Sequence, residues 1–249
     1  MTNLLFETVG QQAKKAAVIV GRFNPPTIGH YALFKAVKAW MKDNADLNLH
    51  PVPIVVVVQG KNTSKDKARN PLDAKDRISA MIGSKKADGF NFLIAPSAFD
   101  AFEEVRKAGF EPIAIATGTD REGQYLKMLD QYFTTKDGGK IKHHEIKLER
   151  DVDGQHQGTE NLDKEAALDD ILKYVDKDIP INMVSGSLAR RAVERGELNK
   201  FAVLVGIEDL AAAKIIFNKV KKSLDDAKIE ADKKAADKAA KKEKTNGAT

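Results

Sequence analysis

The run Val52 to Val58, VPIVVVV, is the strongest strand signal in the chain, and no polar side chain interrupts it. Successive side chains of a strand point to opposite faces, so a strand with one face in water alternates apolar and polar residues. An unbroken β-branched run needs cover on both faces, which is the setting of a parallel strand flanked by helices. Ala16 to Val20, ending at Gly21, reads the same way, and Phe90 to Ala95, Pro112 to Thr117 and Ile181 to Val184 read as further strands. Between them lie helical patterns. Leu33, Phe34, Val37, Trp40 and Met41 share one spacing, and a helix opens at Asn70-Pro71-Leu72-Asp73 with Ile78, Met81 and Ile82 on its apolar side. Ala98 to Lys107, Gln124 to Phe133 and the stretch that follows Val184 to about Arg195 read as helices too. Strands alternating with helices predict a doubly wound parallel sheet.

From Thr134 to Asp178 the pattern weakens. This polar, Gly-containing stretch holds one strand candidate (Ile141 to Leu148) and one helix candidate (Lys164 to Val175), and it reads as an insertion before the last strand. From Glu208 the chain reads as helix, then as an Ala/Lys/Asp-rich extension. The expected organisation is one domain over residues 1–220, with the insertion at about 134–178, and a helical or disordered tail over 221–249.

Composition narrows the function classes. The 249 residues include no Cys, which excludes disulfides, thiolate nucleophiles and cysteine-based zinc sites and suits a reducing compartment. The first residues, MTNLLFETVGQQAKK, lack the apolar stretch of a signal peptide, and Pro51 to Val58 is too short to span a bilayer. A soluble, cytoplasmic protein without a membrane partner is expected. The net charge is +5, but ten Lys against six Asp and Glu from Lys219 to Thr249 place about four of those charges in the tail. A nucleic-acid-binding fold more often carries its basic face on the domain itself, so nothing in the composition requires a nucleic-acid partner. The tail is the expected place for self-association or contact with a protein partner.

The segment Gly21-Arg22-Phe23-Asn24-Pro25-Pro26-Thr27-Ile28-Gly29-His30 joins the first strand to the first helix. Ligands of open α/β sheets bind beyond the carboxyl ends of the strands, and the N–H groups of a helix N-terminus favour phosphate there. Gly21 and Gly29 let a ligand approach the backbone. Thr27 and His30 share a helix face at a spacing of three. Later in the chain, Val184-Ser185-Gly186-Ser187-Leu188-Ala189-Arg190 repeats the arrangement of a Ser-capped helix start with a basic residue one turn in.

The first segment closely resembles the (H/T)xGH signature of the nucleotidyltransferase superfamily, which includes nicotinamide mononucleotide and phosphopantetheine adenylyltransferases and cytidylyltransferases. The wider pattern G-x-F-x-P-x-(H/T)-x-G-H-x-x-L is met from Gly21 to Leu33, with Thr27 in the first His position. The second segment resembles the family's I-S-S-T-x-x-R motif, with Gly186 and Ser187 in place of the usual hydroxyl residue and Thr. Arg191, Gly196 and Phe201 resemble its continuation. The resemblance implies a Rossmann-like fold and transfer of a nucleoside monophosphate from ATP or CTP to a small phosphorylated acceptor, with release of pyrophosphate. It implies that His30 meets the α-phosphate, that Thr27 holds neighbouring oxygens, and that Arg190 reaches the β- and γ-phosphates. Gly21, Arg22, Phe23, Asn24, Gly29, Ser185, Gly186 and Ser187 would surround the nucleotide, and Gly118 and Asp120 of Gly118-Thr119-Asp120 would touch the nucleoside. Lys67, Arg69 and Arg77, around the Asn70-Pro71-Leu72 segment, are candidates for the triphosphate or the acceptor phosphate, or else residues of a solvated loop.

Mg²⁺ is expected on the nucleotide's phosphates rather than in a protein cage. No metal site is expected elsewhere, since His143-His144 sits in a charged strand and Asp151-Val152-Asp153-Gly154 lacks the spacing of an EF-hand loop. Neither a Walker A nor a G-x-G-x-x-G sequence occurs. ATP with nicotinamide mononucleotide is the favoured substrate pair, CTP with a polyol phosphate the alternative. The departures in the second motif also admit a nucleotide-binding protein that no longer catalyses.

Overall fold

The computed structural model describes residues 13–60, 66–117, 123–133, 141–146, 164–174 and 184–246. The elements in chain order are β1 (Lys14–Gly21), α1 (Ile28–Asp43), β2 (Ile54–Val58), α2 (Ala74–Gly83), β3 (Asn91–Ala95), α3 (Ala98–Lys107), β4 (Phe110–Ala116), α4 (Gln124–Tyr132), β5 (His144–Ile146), α5 (Lys164–Asp170), α6 (Gly186–Glu194), α7 (Leu198–Val205) and α8 (Leu210–Asn246). The strands form one parallel sheet in the order β3-β2-β1-β4-β5, with Val18 opposite Ile54 and Gly21 opposite Val57.

The fold is Rossmann-like, and the apolar strand run explains why. All five residues of β2 are buried. Val55 and Val57, with Ala17 and Ile19 of β1, pack against Phe34 and Val37 of α1 and Met81 of α2. Ile54, Val56 and Val58, with Val18 and Val20, pack the other way, against Phe102 and Val105 of α3 and Leu129 of α4. Each side of the sheet therefore has its own core, as the absence of alternation requires. The chain leaves β1 for β2 and β3, then returns to β4 on the other side of β1. The order reverses at the carboxyl end of β1, which is where open α/β sheets bind ligands.

A third core lies among the C-terminal helices. Leu168 of α5, Leu188 and Val193 of α6, Phe201 and Leu204 of α7, and Ile216, Phe217 and Val220 of α8 bury one another and reach Leu72 and Ala80 beside and on α2. This contact brings the N-terminus of α6 beside the loop that follows β1.

The strand candidate at Ile141 to Leu148 is present in shorter form as β5, and the helix candidate at Lys164 to Val175 contains α5. What the sequence did not show is where the strand goes: β5 pairs in parallel with β4, His144 opposite Ala114, and so extends the sheet at its edge. Leu198 to Val205 is a helix that the periodicity did not separate. The expected last strand at Ile181 to Val184 lies at 181–183 outside the described residues, and Val184 is a buried residue leading into α6.

Helix α8 crosses the expected boundary at residue 220 without a break. Its burial nonetheless ends there. Ala213, Ile216, Phe217 and Val220 are buried, Leu224 and Ala227 only partly, and 228–240 are exposed. Lys219 pairs with Asp76 of α2, and Lys67 lies 4.0 Å from Asp226 with both side chains about half exposed. A pair of the second kind contributes about 0–1 kcal/mol. Deleting residues 222–249 is therefore expected to leave the thermal transition nearly unchanged. A collapse of that transition in calorimetry would show that the distal helix is part of the core. Among the described residues, no helix is long and apolar enough to cross a membrane.

Candidate active site

The loop after β1 is shaped from within. Phe23 has a left-handed backbone (φ 50) and a buried ring folded back over Gly21. A Cβ on Gly21 would stand 2.7 Å from that ring, so only glycine fits. The ring then meets His30 edge-on at 5.1 Å between centroids and Phe34 at 6.0 Å. Phe23, expected at the nucleotide, is a core residue whose ring backs His30.

Thr27 is the N-cap of α1 and is itself buried. Its backbone N–H donates to Nδ1 of His30 at 3.0 Å, and its hydroxyl lies 2.9 Å from the same atom. A backbone N–H can only donate, so Nδ1 is an acceptor, and the neutral ring carries its hydrogen on Nε2. The spacing of three that marks the motif thus closes the first turn of the helix and sets the tautomer of the imidazole. Gly29 lies in the same turn.

The second motif meets the first. Ser185 caps α6, its Oγ accepting from the Leu188 N–H at 3.1 Å and lying 2.8 Å from the Ser187 hydroxyl. One turn on, Nη1 of Arg190 donates to the backbone carbonyl of Asn24 at 2.8 Å, across 166 residues of sequence. A Cβ on Gly186 would fall 3.2 Å from that carbonyl and 3.4 Å from Arg190 Nη1. The departure from a hydroxyl residue at this position lets α6 approach the first loop this closely.

The site is cationic. Burial pushes the Arg190 guanidinium below its ordinary value; Arg22 and Arg69 act the same way, and Glu194 and Asp66 oppose them. Arg22 is exposed at the loop, and Arg69, in the turn before α2, is exposed with its Nε 3.7 Å from Asp66. Lys67, in the same turn, faces Asp226 of α8.

Besides Phe23, two residues stand elsewhere than expected. The Asn24 side chain is buried, donating to the Leu72 carbonyl at 2.9 Å and accepting from the Leu72 N–H at 3.0 Å. This amide ties the first loop to the Asn70-Pro71-Leu72 segment and is not turned to a nucleotide. Arg77 is neither a phosphate contact at the surface nor a solvated loop residue, because it is 1% exposed and bonded to backbone carbonyls. Gly118 and Asp120 lie outside the described residues. The sequence flagged the Asn-Pro-Leu segment but carried no sign of the bonds that join it to Asn24.

A cavity of about 570 Å³, lined among others by Lys38, Met41, Asn44, Leu49 and Val52, lies where α1 ends and β2 begins, at the other end of the sheet. It contains no residue of either motif.

No curated protein matches the chain. The sequence model of the cytidylyltransferase-like family matches residues 18–192, a span that runs from β1 through Arg190 and covers well over half of the chain. With its parallel sheet, its switch point after β1 and this match, the chain belongs to the cytidylyltransferase-like family of nucleotidyltransferases.

Proposed function

We propose that the protein transfers a nucleoside monophosphate from ATP or CTP to a small phosphorylated acceptor and releases pyrophosphate. The observation that carries this reading is the meeting of two helix starts at one loop. Thr27 and His30 open α1, Ser185 caps α6, and Arg190 reaches across to Asn24. Helix N-termini favour anions, and an arginine beside them suits a phosphate chain.

In the proposed reaction an acceptor phosphate oxygen attacks the α-phosphorus in line. A new P–O bond forms as the bond from the α-phosphorus to the bridging oxygen breaks, and pyrophosphate leaves with that electron pair. The acceptor is already anionic, so the chain needs no strong base and no covalent intermediate. Its own groups position and stabilise charge. The Nε2–H of His30 donates to an α-phosphate oxygen, the α1 N-terminus and Thr27 hold neighbouring oxygens, and Arg190 holds the leaving pyrophosphate. Among the described residues no three His, Asp or Glu come together to hold a divalent ion, so Mg²⁺ is proposed to enter with the phosphates. ATP with nicotinamide mononucleotide is the favoured pair, in a cytoplasmic setting.

The test is pyrophosphate release with ATP and CTP against a panel of phosphorylated acceptors, alongside thermal shift. A ligand at 100 times its Kd stabilises by about 2.7 kcal/mol. Stabilisation by a triphosphate with no pyrophosphate from any pair would favour a non-catalytic nucleotide-binding protein. Arg190→Lys is expected to remain well below wild-type rate, because an ammonium cannot hold the Asn24 carbonyl and a phosphate with one planar fork. A wild-type rate in that variant would remove the bidentate role.

A further inference from the structure

Among the described residues Arg77 is the largest fully buried side chain, at 1% exposure. Its Nη1 donates to the carbonyl of Arg22 at 2.6 Å and to the carbonyl of Val58 at 2.9 Å, and its Nε donates to the carbonyl of Asp73 at 3.1 Å. Val58 ends β2, and Arg22 is the first residue after β1. The guanidinium thus clasps the carboxyl ends of two neighbouring strands, at the point where the phosphate loop begins. A strand end leaves carbonyls that the ladder no longer pairs, and burying them without a donor costs about 1–3 kcal/mol each. A neutral donor could meet that need. A cation in this place has a second consequence, because its bonded partners are all neutral carbonyls and it forms no salt bridge among the described residues. Burial pushes it down to about 10, with Asp73 opposing the shift and Arg22 adding to it, so it stays charged at neutral pH. A buried positive charge beneath the loop, offset only in part by Asp73, is favourable when an anion lies above it, since buried charges are screened less than surface ones.

We propose that Arg77 is a positioning residue for nucleotidyl transfer, holding the Arg22 carbonyl so that the loop from Arg22 to Thr27 keeps its path, and supplying a buried positive charge beneath the bound triphosphate. It acts through Arg22 and Val58 and touches no substrate. The inference rests on the transfer reading above, and the experiment separates the two.

Arg77→Lys keeps the charge but cannot reproduce the planar set of donors. It is expected to bind ATP within ~3-fold of wild type while kcat falls ~30-fold, the scale at which a small misplacement of reacting groups lowers rate. Arg77→Gln keeps a donor and loses the charge, and its ATP affinity is expected to fall ~10-fold. A folded Arg77→Lys with wild-type kcat, or a folded Arg77→Gln with wild-type ATP affinity, overturns the proposal. A merely structural arginine would lower the thermal transition without this division between kcat and affinity. Where a variant does not fold, the wild-type protein decides. The assigned Nε–Hε resonance of Arg77 is expected to shift and exchange more slowly on saturation with ATP, and an unmoved resonance overturns the proposal. Should the wild type bind ATP but release no pyrophosphate with any pair, the transfer reading fails and the proposal of a positioning role in transfer falls with it; a resonance still moved by ATP would then mark the charge as serving binding alone.

Discussion

A His30→Ala variant is expected to lose at least ~10²-fold in the rate of pyrophosphate release, the scale for removing one preorganised donor at a developing charge. The preorganisation is visible in three contacts. The Thr27 N–H occupies Nδ1, the Phe23 ring stands edge-on behind the imidazole, and Gly21 leaves room for that ring. These contacts fix the ring plane and place its hydrogen on Nε2. Removing the side chain also removes the acceptor of the N-cap N–H, which costs about 0.5–2 kcal/mol by analogy with other lost caps. His30→Gln supplies the control, because Gln at the third helical position can reach back to the N-cap N–H, as in a capping box. It is expected to recover stability and not rate, since an amide on a flexible chain does not hold a donor where the Phe23-backed imidazole holds Nε2. Calorimetry and pyrophosphate release on both variants check this, and a wild-type rate in either removes His30 from the transition state.

The largest stability effect is expected at Phe201. Replacing it by Ala should cost about 3–5 kcal/mol, the usual range for a fully buried aromatic. Phe201 lies in the third core with Leu188 and Val193 of α6, is 0% exposed, and meets the Phe217 ring of α8 at 5.5 Å between centroids. At about 2–4 °C per kcal/mol for a chain of this size, the midpoint should fall by roughly 10 °C. Because α6 leans on this core, the variant should also lose activity below its new midpoint, through Arg190. A change of less than 1 kcal/mol would mean that the helical layer repacks and does not hold the second motif in place.

Local sequence was informative wherever one residue's neighbours settle its environment. The run of β2 needs two covered faces, and α1, α2, α3 and α4 provide them. The start of α1 at Thr27 and of α6 at Ser185 follow from residues three or four positions apart, so both helix starts were legible. Pairings and some element boundaries were not. The strand candidate at Ile141 to Leu148 was legible, but its shortening to His144–Ile146 and its place at the edge of β4 were not, because a strand's partner is set by the fold. Leu198 to Val205 is apolar and β-branched enough to suit either state. Its helix is stopped by Gly206 (φ 65) and held by burial of Phe201, Leu204 and Val205.

The sequence by itself determined the parallel sheet, the loop after β1 and the two helix starts at Thr27 and Ser185, because periodicity and capping act over a few residues, while the family resemblance related the second start to the first. Only the tertiary structure decided what the long polar side chains do. Arg77, Asn24, Lys67 and Arg69 look alike in the sequence as polar residues near a loop, yet two are buried on backbone groups and two stand at the surface. The physical reason is that a carbonyl left unpaired at a strand end draws whichever donor the fold brings within reach, and that reach spans 55 residues from Arg77 to Arg22 and 166 from Arg190 to Asn24.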